Sequence, residues 1–528
     1  MNYKKITILV FAFFIISLSA YSQDITIKGK ASFQTDFTVP KKSTLIIYPG
    51  SNLKMGDNVK IIINGKIIAK GTKEKPIIFE GNNDTIFWQG IKIIGSDAAP
   101  NINEYWKWIK DGDKEKETLF LEKIKKGNIF EYCIFKNTAT GKPFKRGNRW
   151  KATIQAYNTS IRVSYSKFEN IFEIGGVLTK KSYEVIDNNI FDDKTMHKAI
   201  NSTDSVVGIL YNNIIKGHRT TNQTCADGIW TRDFVGLIAS NTIDAVADDG
   251  IDTDNSKIIV LNNNITNACD DGIDIDSKGI AYIIKNNISS IADNGILMSN
   301  QSKGILVKNT IKNSPSGLTL RNGANIVANK MEIKNNGKGV LLFHGIPCML
   351  SNEDFNSIKI QLREYEKLHP ECDCGIKGVK SAQDAINIFE KYYTHNNDYW
   401  IFNQTKFETI SQFDKLKKLF KYIDVLNLKY FENKESKLNS FCIALKNSLY
   451  MTCSTVKDNK QDIALFHSFK IKIKDTEFTN TEKQKQILDK YENIFSSELI
   501  NELNADTINL IEINAENIIK KIVRQLPD

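Results

Sequence analysis

The sequence predicts an all-β solenoid of stacked parallel coils, about 22 residues per coil, followed by a smaller α+β C-terminal domain. Three observations carry this. Between residues 205 and 345, Gly228, Gly250, Gly272, Gly295, Gly317 and Gly339 recur at intervals of 22, 22, 23, 22 and 22 residues, each followed by an aliphatic residue. A second series runs in step: Asn241-Thr242-Ile243, Asn263-Asn264-Ile265, Asn286-Asn287-Ile288, Asn309-Thr310-Ile311 and Asn329-Lys330-Met331, with Asn188-Asn189-Ile190 and Asn212-Asn213-Ile214 upstream. Between the series lie β-branched stretches such as Lys257-Ile258-Ile259-Val260-Leu261, which have the period of a strand. Strands of successive coils would pair in parallel about 4.8 Å apart, with stacked Asn amides bonding along a ladder.

Taken from the N-terminus, the elements follow in order. Lys4 and Lys5, the apolar run Ile6 to Leu18 and the small-x-small pattern Ala20-Tyr21-Ser22 read as a secretory signal over residues 1–22. That run is too short to span a bilayer. An exported protein is therefore expected, in the periplasm, on the cell surface or outside, with no membrane segment after cleavage. Residues 23–348 are assigned to the solenoid. Its opening coils alternate strand and Gly turn, as in Thr44 to Gly50, Lys66 to Gly71 and Trp88 to Ile93. Residues 97–126, with Tyr105, Trp106, Trp108 and the charged run Asp111 to Glu117, break the period and read as a surface insertion. From residue 349 helical periodicity (Ala382 to Tyr393, Gln412 to Phe431, Glu482 to Arg524) mixes with strands (Asn439 to Thr452, Ala464 to Ile473). This 349–528 domain would cover the last coil and hide its open edges.

The 22-residue repeats resemble those of right-handed parallel β-helices of the pectin-lyase-like superfamily, and the resemblance covers roughly residues 24 to 348. It implies a right-handed β-helix. The main activities it implies are polysaccharide lyase and glycoside hydrolase.

A hydrophobic content of 41% with 25% charged residues excludes wholesale disorder and a collagen-like rod. Lys and Arg exceed Asp and Glu by 71 to 61, and only eight residues are Arg, so each Arg position is informative. The basic balance fits weak attraction to anionic polymers or a solvated Lys-rich surface. No nucleic-acid partner is expected, and the chain reads as a monomer. Eight Cys permit disulfides. If Asn447-Ser448 turns a hairpin, Cys442 and Cys453 face each other within bridging distance. Cys348, Cys372 and Cys374 form a second cluster, whose CxC spacing beside His369 lacks the fourth ligand of a zinc site. Cys225 and Cys269 share a coil position two coils apart, too far to bridge.

The candidate site follows from strand alternation. After each repeat Gly the aliphatic residue points inward, so the residues two and four places on point outward. That face carries Trp230 and Arg232, then Asp252 and Asp254, Asp274 and Asp276, Leu297 and Ser299, and finally Thr319 and Arg321. Asp248, Asp249, Asp270 and Asp271 extend the two-by-two grid at the turns, with Asp227 one coil below. Asp-Gly turns explain Asp249 and Asp271 without a function. They do not explain Asp in mid-strand, where it is disfavoured. The spacing from Asn212 to Gly228 is longer than that from Asn241 to Gly250, so a loop with Gly217-His218-Arg219 overhangs this face.

An oxygen-only ligand set of Asp249, Asp252, Asp254, Asp271, Asp274 and Asp276 suits Ca²⁺. Arg232, Asp252, Asp274, His218 and Arg219 are the catalytic candidates; Trp230 and Arg321 are the substrate-binding ones. The resulting expectation is a Ca²⁺-assisted lyase acting on an acidic polysaccharide, with Arg232, Arg219 or His218 as base. The alternatives are a non-catalytic carbohydrate-binding or structural β-helix and an inverting hydrolase with paired Asp. The Gly-His-Gly and Arg-x-Lys of polygalacturonase-like hydrolases and the Arg-x-Pro-x-x-Arg of pectate lyases are absent from their expected places.

Overall fold

Three short strands and three tight corners make one coil, for example Ile251–Asp254 on a first face, Lys257–Leu261 on a second and Asn264–Thr266 on a third. Each strand pairs in parallel with its counterpart in the next coil, as in Ile251 with Ile273, Ile259 with Tyr282 and Ile265 with Ile288. The computed structural model describes residues 6–8, 24–83, 85–139, 151–172, 174–192, 196–217, 226–343, 349–368, 381–396, 399–402, 448–459, 461–465, 470–478 and 505–525. Over these, a 26-stranded sheet forms the first and second faces and a 14-stranded sheet forms the third. Ile6–Ile8, inside the expected leader, lies on Ile25–Ile27, so removing the leader would leave the latter as the open first edge.

The two sequence series have distinct physical causes. At Gly250 an added Cβ would come within 2.5 Å of the Ile265 side chain and 2.6 Å of the Gly272 carbonyl oxygen. Gly272 meets Ile288 and Gly295 in the same way. These glycines are therefore kept for close approach of the third face to the first. The Asn series is a hydrogen-bonded stack. The side-chain amides of Asn189, Asn213, Asn241, Asn263 and Asn286 each donate to the Oδ1 of the next member, ending on Asn309, at 2.9 to 3.0 Å. Asn309 in turn donates to Met331 Sδ at 3.5 Å.

This corrects three positions of the sequence register. Asn188 and Asn212 precede the ladder and sit at the corner with φ of 57° and 52°, a left-handed conformation that Asn tolerates better than most residues. Asn329 is not on the ladder either; Lys330 takes the left-handed corner and Met331 the ladder position.

Inside, like stacks on like. Phe79, Phe135, Phe168 and Phe191 lie ring over ring at 5.0, 4.9 and 4.6 Å, and Ile215, Ile243, Ile265, Ile288, Ile311 and Ile333 continue the buried column. The second face is apolar on its outside too, with Val207, Leu237, Ile259, Tyr282, Ile284 and Ile305 all buried. What buries them is the 97–126 segment. It folds into helices α1 (Ile102–Asp111) and α2 (Lys114–Lys126), whose Tyr105, Trp108, Ile109, Phe120 and Ile124 pack onto that face. The expected surface insertion is thus a cover over part of the solenoid's second face.

The region expected as one C-terminal domain is divided. Helices α3 (Asn352–Leu368) and α4 (Ala382–Tyr392) accompany a small antiparallel sheet of Met349–Ser351, Tyr393–Asn396 and Tyr399–Phe402. The chain then returns to the solenoid. Ser448–Thr452 pairs in parallel with Asn325–Asn329, Thr455–Lys457 with Glu332–Lys334, and Gln461–Leu465 with Lys338–Phe343. A further strand, Lys470–Lys474, stacks on Ser448–Thr452. Ser448–Thr452 is thus a coil strand paired in parallel on both sides, which leaves it no edge for the expected hairpin; Cys442 and Asn447 lie outside the described residues. The last helix, α5 (Ala505–Gln525), buries Ile508, Ile511, Ala515, Ile518 and Ile522 beside α1 on the second face. Glu512 of α5 pairs with Lys285 and, at 3.3 Å, with Lys308. No described helix is long and apolar enough to cross a membrane.

Replacing Asn263 by Ala would leave partners on both sides of the ladder unsatisfied in a dry interior. Asn263→Ala is expected to destabilise the fold by about 2 to 4 kcal/mol, against about 0.5 kcal/mol or less for the neighbouring, more exposed Asn264→Ala. Urea denaturation of both variants measures the difference.

Candidate functional site

The register of the first face brings four mid-strand carboxylates together as expected. Asp252 stands opposite Asp274 and Asp254 opposite Asp276, with Trp230 and Arg232 one coil below and Leu297 one coil above. The inward Ile251 and Ile273 are fully buried, which fixes the orientation of their neighbours.

Beside this grid the turn residues form a column of their own. Asp227 Oδ1 accepts the amide of Asp249 at 3.4 Å, Asp249 Oδ1 accepts that of Asp271 at 2.7 Å, and Asp271 Oδ1 accepts that of Asn294 at 3.0 Å. The turn carboxylates thus have a structural task, holding one coil's corner to the next. The outer column of the grid is also held: Asp276 accepts from the backbone of Ser277 and from Asn300 at 2.5 Å, and Ser277 reaches Asp254 at 3.4 Å. Asp252 accepts no hydrogen bond among the described residues.

One carboxylate oxygen each from Asp249, Asp252 and Asp274 lies within 4.8 Å of the others. The same holds for Asp227, Asp248 and Asp249, and for Asp249, Asp270 and Asp271. At such a distance two charges repel by about 3 kcal/mol at an effective dielectric of 20. Burial first, and then the neighbouring carboxylates Asp248, Asp270, Asp271 and Asp252, push Asp249 well above the usual carboxylate range. Burial together with Asp254 and Asp274 does the same to Asp252. Asp254 is pushed up to about 6 by burial and Asp276, against the opposing pull of Arg232.

Cations flank the grid at both ends. Lys198 pairs with Asp227 and lies 4.7 Å from the centre of the Trp230 ring. Arg232 binds Asp204 at 2.9 Å and lies 5.4 Å from the same ring. Trp230 is consequently only 8% exposed, so the open stacking platform expected from the sequence is instead a buried spacer between two cations. Arg321 is also 8% exposed, and its Nε is buried without a hydrogen-bond partner among the described residues. Burial disfavours its charge, but Asp274, Asp276, Asp271 and Asp293 outweigh that and hold its proton more firmly than usual. His218, Arg219 and Cys225 lie outside the described residues; Cys269 is buried. Of the other histidines, His197 is buried and His395 bonds Asn352 at 2.9 Å.

Lys198 and Asp204 were not legible as site residues. Lys198 occupies the place of Asp227 one coil earlier, since Ile200 pairs with Ile229. Ala199 stands there where later coils have Gly, so the Gly series starts one coil too late to reveal it.

The known family described as "Right handed beta helix region" matches residues 227–399. With the parallel coils on either side of that stretch, the chain folds as a right-handed parallel β-helix. No curated protein sequence matches it. Among solved structures, it is similar to a periplasmic alginate epimerase, AlgG, with 10% identity over 85% of this chain and 78% of that one, at a TM-score of 0.44. It is also similar to the A-module of the Azotobacter vinelandii mannuronan C-5 epimerase AlgE4 (9% identity, 59% and 83% covered, TM-score 0.25). An exopolygalacturonase from Thermotoga maritima shows 12% identity, with 58% and 79% covered and a TM-score of 0.19. Likenesses this distant carry no statement about chemistry.

The raised carboxylates imply a pH dependence. An acid whose folded-state value is raised contributes stability that is present below its ordinary value and is lost as pH climbs through the folded value. For Asp254 that window runs from 3.8 to about 6. Wild type should therefore lose more stability than Asp254→Asn on going from acid to neutral pH. Denaturation curves with equal pH slopes for the two proteins would contradict this.

Proposed function

We propose that this protein binds an anionic polysaccharide along the first face around residues 228–321 and cleaves it by elimination, as a Ca²⁺-assisted lyase. The observation that carries the reading is the set of three carboxylates, Asp249, Asp252 and Asp274, within 4.8 Å of one another. The donor set is all oxygen and anionic, and Asp252 has no hydrogen bond of its own among the described residues, which fits a hard divalent cation. Asp254, Asp271 and Asp276 would complete its surroundings. When bound, such an ion would acidify the proton beside a uronate carboxylate and offset the repulsion among the acids.

The chain's own residues have the remaining tasks. Arg321, held charged by Asp274, Asp276, Asp271 and Asp293, would pair with an anionic substituent of the sugar through the end of its guanidinium. Trp230 holds Lys198 and Arg232 in place beside the grid. Removal of the acidified proton falls to Arg232, Arg219 or His218. The pair electrons form the new ring double bond as the glycosidic oxygen leaves and takes up a proton. Secretion through residues 1–22 would place this activity outside the cytoplasm.

A second reading has a specific observation behind it. Asp254, pushed up to about 6, retains a proton closer to neutrality than an ordinary carboxyl and could serve as a general acid. The adjacent Asp252 and Asp274 are nearer together than the roughly 6.5 to 9.5 Å of an inverting pair, so a hydrolase would have to use a diagonal pair, Asp252 with Asp276 or, with Asp254 as the acid, Asp254 with Asp274.

Calorimetric titration of Ca²⁺ into wild type and into Asp252→Ala/Asp274→Ala tests the cation. Binding by wild type is expected, with at least a tenfold loss of affinity in the variant; equal heats would remove the ion from the grid. Incubation with polyuronates then separates the two chemistries. Elimination yields unsaturated ends that absorb in the ultraviolet, whereas hydrolysis yields only new reducing ends.

A further inference from the structure

A second feature lies away from the acidic grid, at the corner between the second and third faces several coils nearer the N-terminus. In most coils this corner is one residue in the left-handed conformation: Asn188, Asn212, Ser240 and Asn262 have φ of 57°, 52°, 55° and 55°. In two successive coils it is a tyrosine, Tyr132 and Tyr165, at φ of 48° and 49°. A bulky side chain is an unfavourable occupant there. The rings are parallel, 4.9 Å apart with 9° between their planes, and Tyr165 is 38% exposed.

One coil below, the corner is not a single residue. After Gly71, whose amide bonds Glu131 oxygen at 2.8 Å, Thr72 and Lys75 exchange two backbone hydrogen bonds of 3.1 Å and make a projecting turn. The turn and the rings bound a pocket of about 420 Å³ whose lining includes Thr72, Lys73, Pro76, Tyr132, Tyr165 and Lys167. That volume falls in the range of roughly 300–1,000 Å³ seen for small-ligand sites. The charges on its lining are the ammonium groups of Lys73 and Lys167; Lys167 also pairs with Glu169, and Asp187 and Glu131 act on the Tyr165 hydroxyl from outside the lining.

We propose that this pocket is a non-catalytic attachment site for an anionic sugar unit of a polysaccharide, with the tyrosine rings taking the apolar face of the sugar and Lys73 and Lys167 its carboxylate. The occupant class follows from the pairing of an aromatic surface with two cations and no acid in the lining. The choice of a polysaccharide rests on the reading of the first face, but the site is separate from it. Attachment here would hold the chain to its polymer while the grid engages another part of it, raising the local concentration of substrate.

Asn is the natural occupant of this corner in neighbouring coils, so Tyr132→Asn/Tyr165→Asn removes the rings without straining the backbone. Affinity electrophoresis through gels containing polygalacturonate or alginate, with dextran as the neutral control, gives the readout. The expected result is retardation of wild type by at least one polyuronate and not by dextran, weakened at least fivefold by Tyr132→Asn/Tyr165→Asn and by Lys73→Ala/Lys167→Ala. It should persist in Asp252→Asn/Asp274→Asn. Retardation unchanged in the folded tyrosine variant overturns the inference, and so does retardation lost only in the Asp variant, which would leave the first-face reading standing. Failure of wild type to be retarded by either polyuronate, or equal retardation by dextran, also overturns it. Retardation lost in the tyrosine variant, in a wild type that degrades neither polymer, would uphold this site and set aside the lyase.

Discussion

Apart from a shift between Thr203 and Val206, the described coils sit in register on one another, so the nearest neighbour of an outward or inward side chain is its own counterpart one strand spacing away. The consequence depends on the chemistry of the group. A carboxamide is self-complementary: the NH₂ of Asn213 meets the oxygen of Asn241, whose NH₂ meets Asn263. Phenyl rings stack in the same way down the core. A carboxylate can only repel its copy, and the molecule handles this in two ways. The turn column of Asp227, Asp249 and Asp271 faces backbone amides of the following coil. The mid-strand Asp252 has no such donor among the described residues, and there the repulsion stays in place.

That asymmetry sets the first face apart from the other two without appeal to any relative. The second face is covered over much of its middle by α1, α2 and α5, and the third carries alternating polar residues such as Thr242, Asp244, Asn264 and Thr266 over a buried aliphatic row. An acidic pair repeated in two consecutive coils could not be a by-product of turn formation, because both lie inside four-residue strands, Asp252 between the buried Ile251 and Thr253 and Asp274 between the buried Ile273 and Ile275.

The coils from Gly228 to Gly339 were legible because they hold a constant length, so that spacing translates directly into height along the axis. Inward and outward positions, and with them Asp252, Asp254, Asp274 and Asp276, followed from strand alternation alone. Where that constancy fails, so does the reading. Ala199 in place of Gly hid the coil that supplies Lys198, and the doublets Asn188-Asn189 and Asn212-Asn213 put a corner residue and a ladder residue side by side with identical side chains. The buried state of Trp230 was not readable either, since it depends on Lys198 and Arg232 arriving from two different coils. The outer rows of the second face did hold a signal for the covering helices: Ile259 and Leu261, Tyr282 and Ile284, and Ile305 and Val307 are apolar where a solvated face would be polar. What sequence spacing cannot give is the partner of Ser448–Thr452, because a parallel strand can dock at any separation along the chain.

The return of the chain to the solenoid after residues 344–447 also has a kinetic side. Most coils can form by adding the next 22 or so residues to a finished edge, a local step. Ser448–Thr452 must instead find Asn325–Asn329 across a long excursion, and α5 must come back to α1, laid down some four hundred residues earlier. Closing such loops slows folding far more than it weakens the final state. A nascent chain of this protein would therefore carry its apolar second face partly bare until Ala505–Gln525 has been made, and that interval is when it most needs protection from self-association.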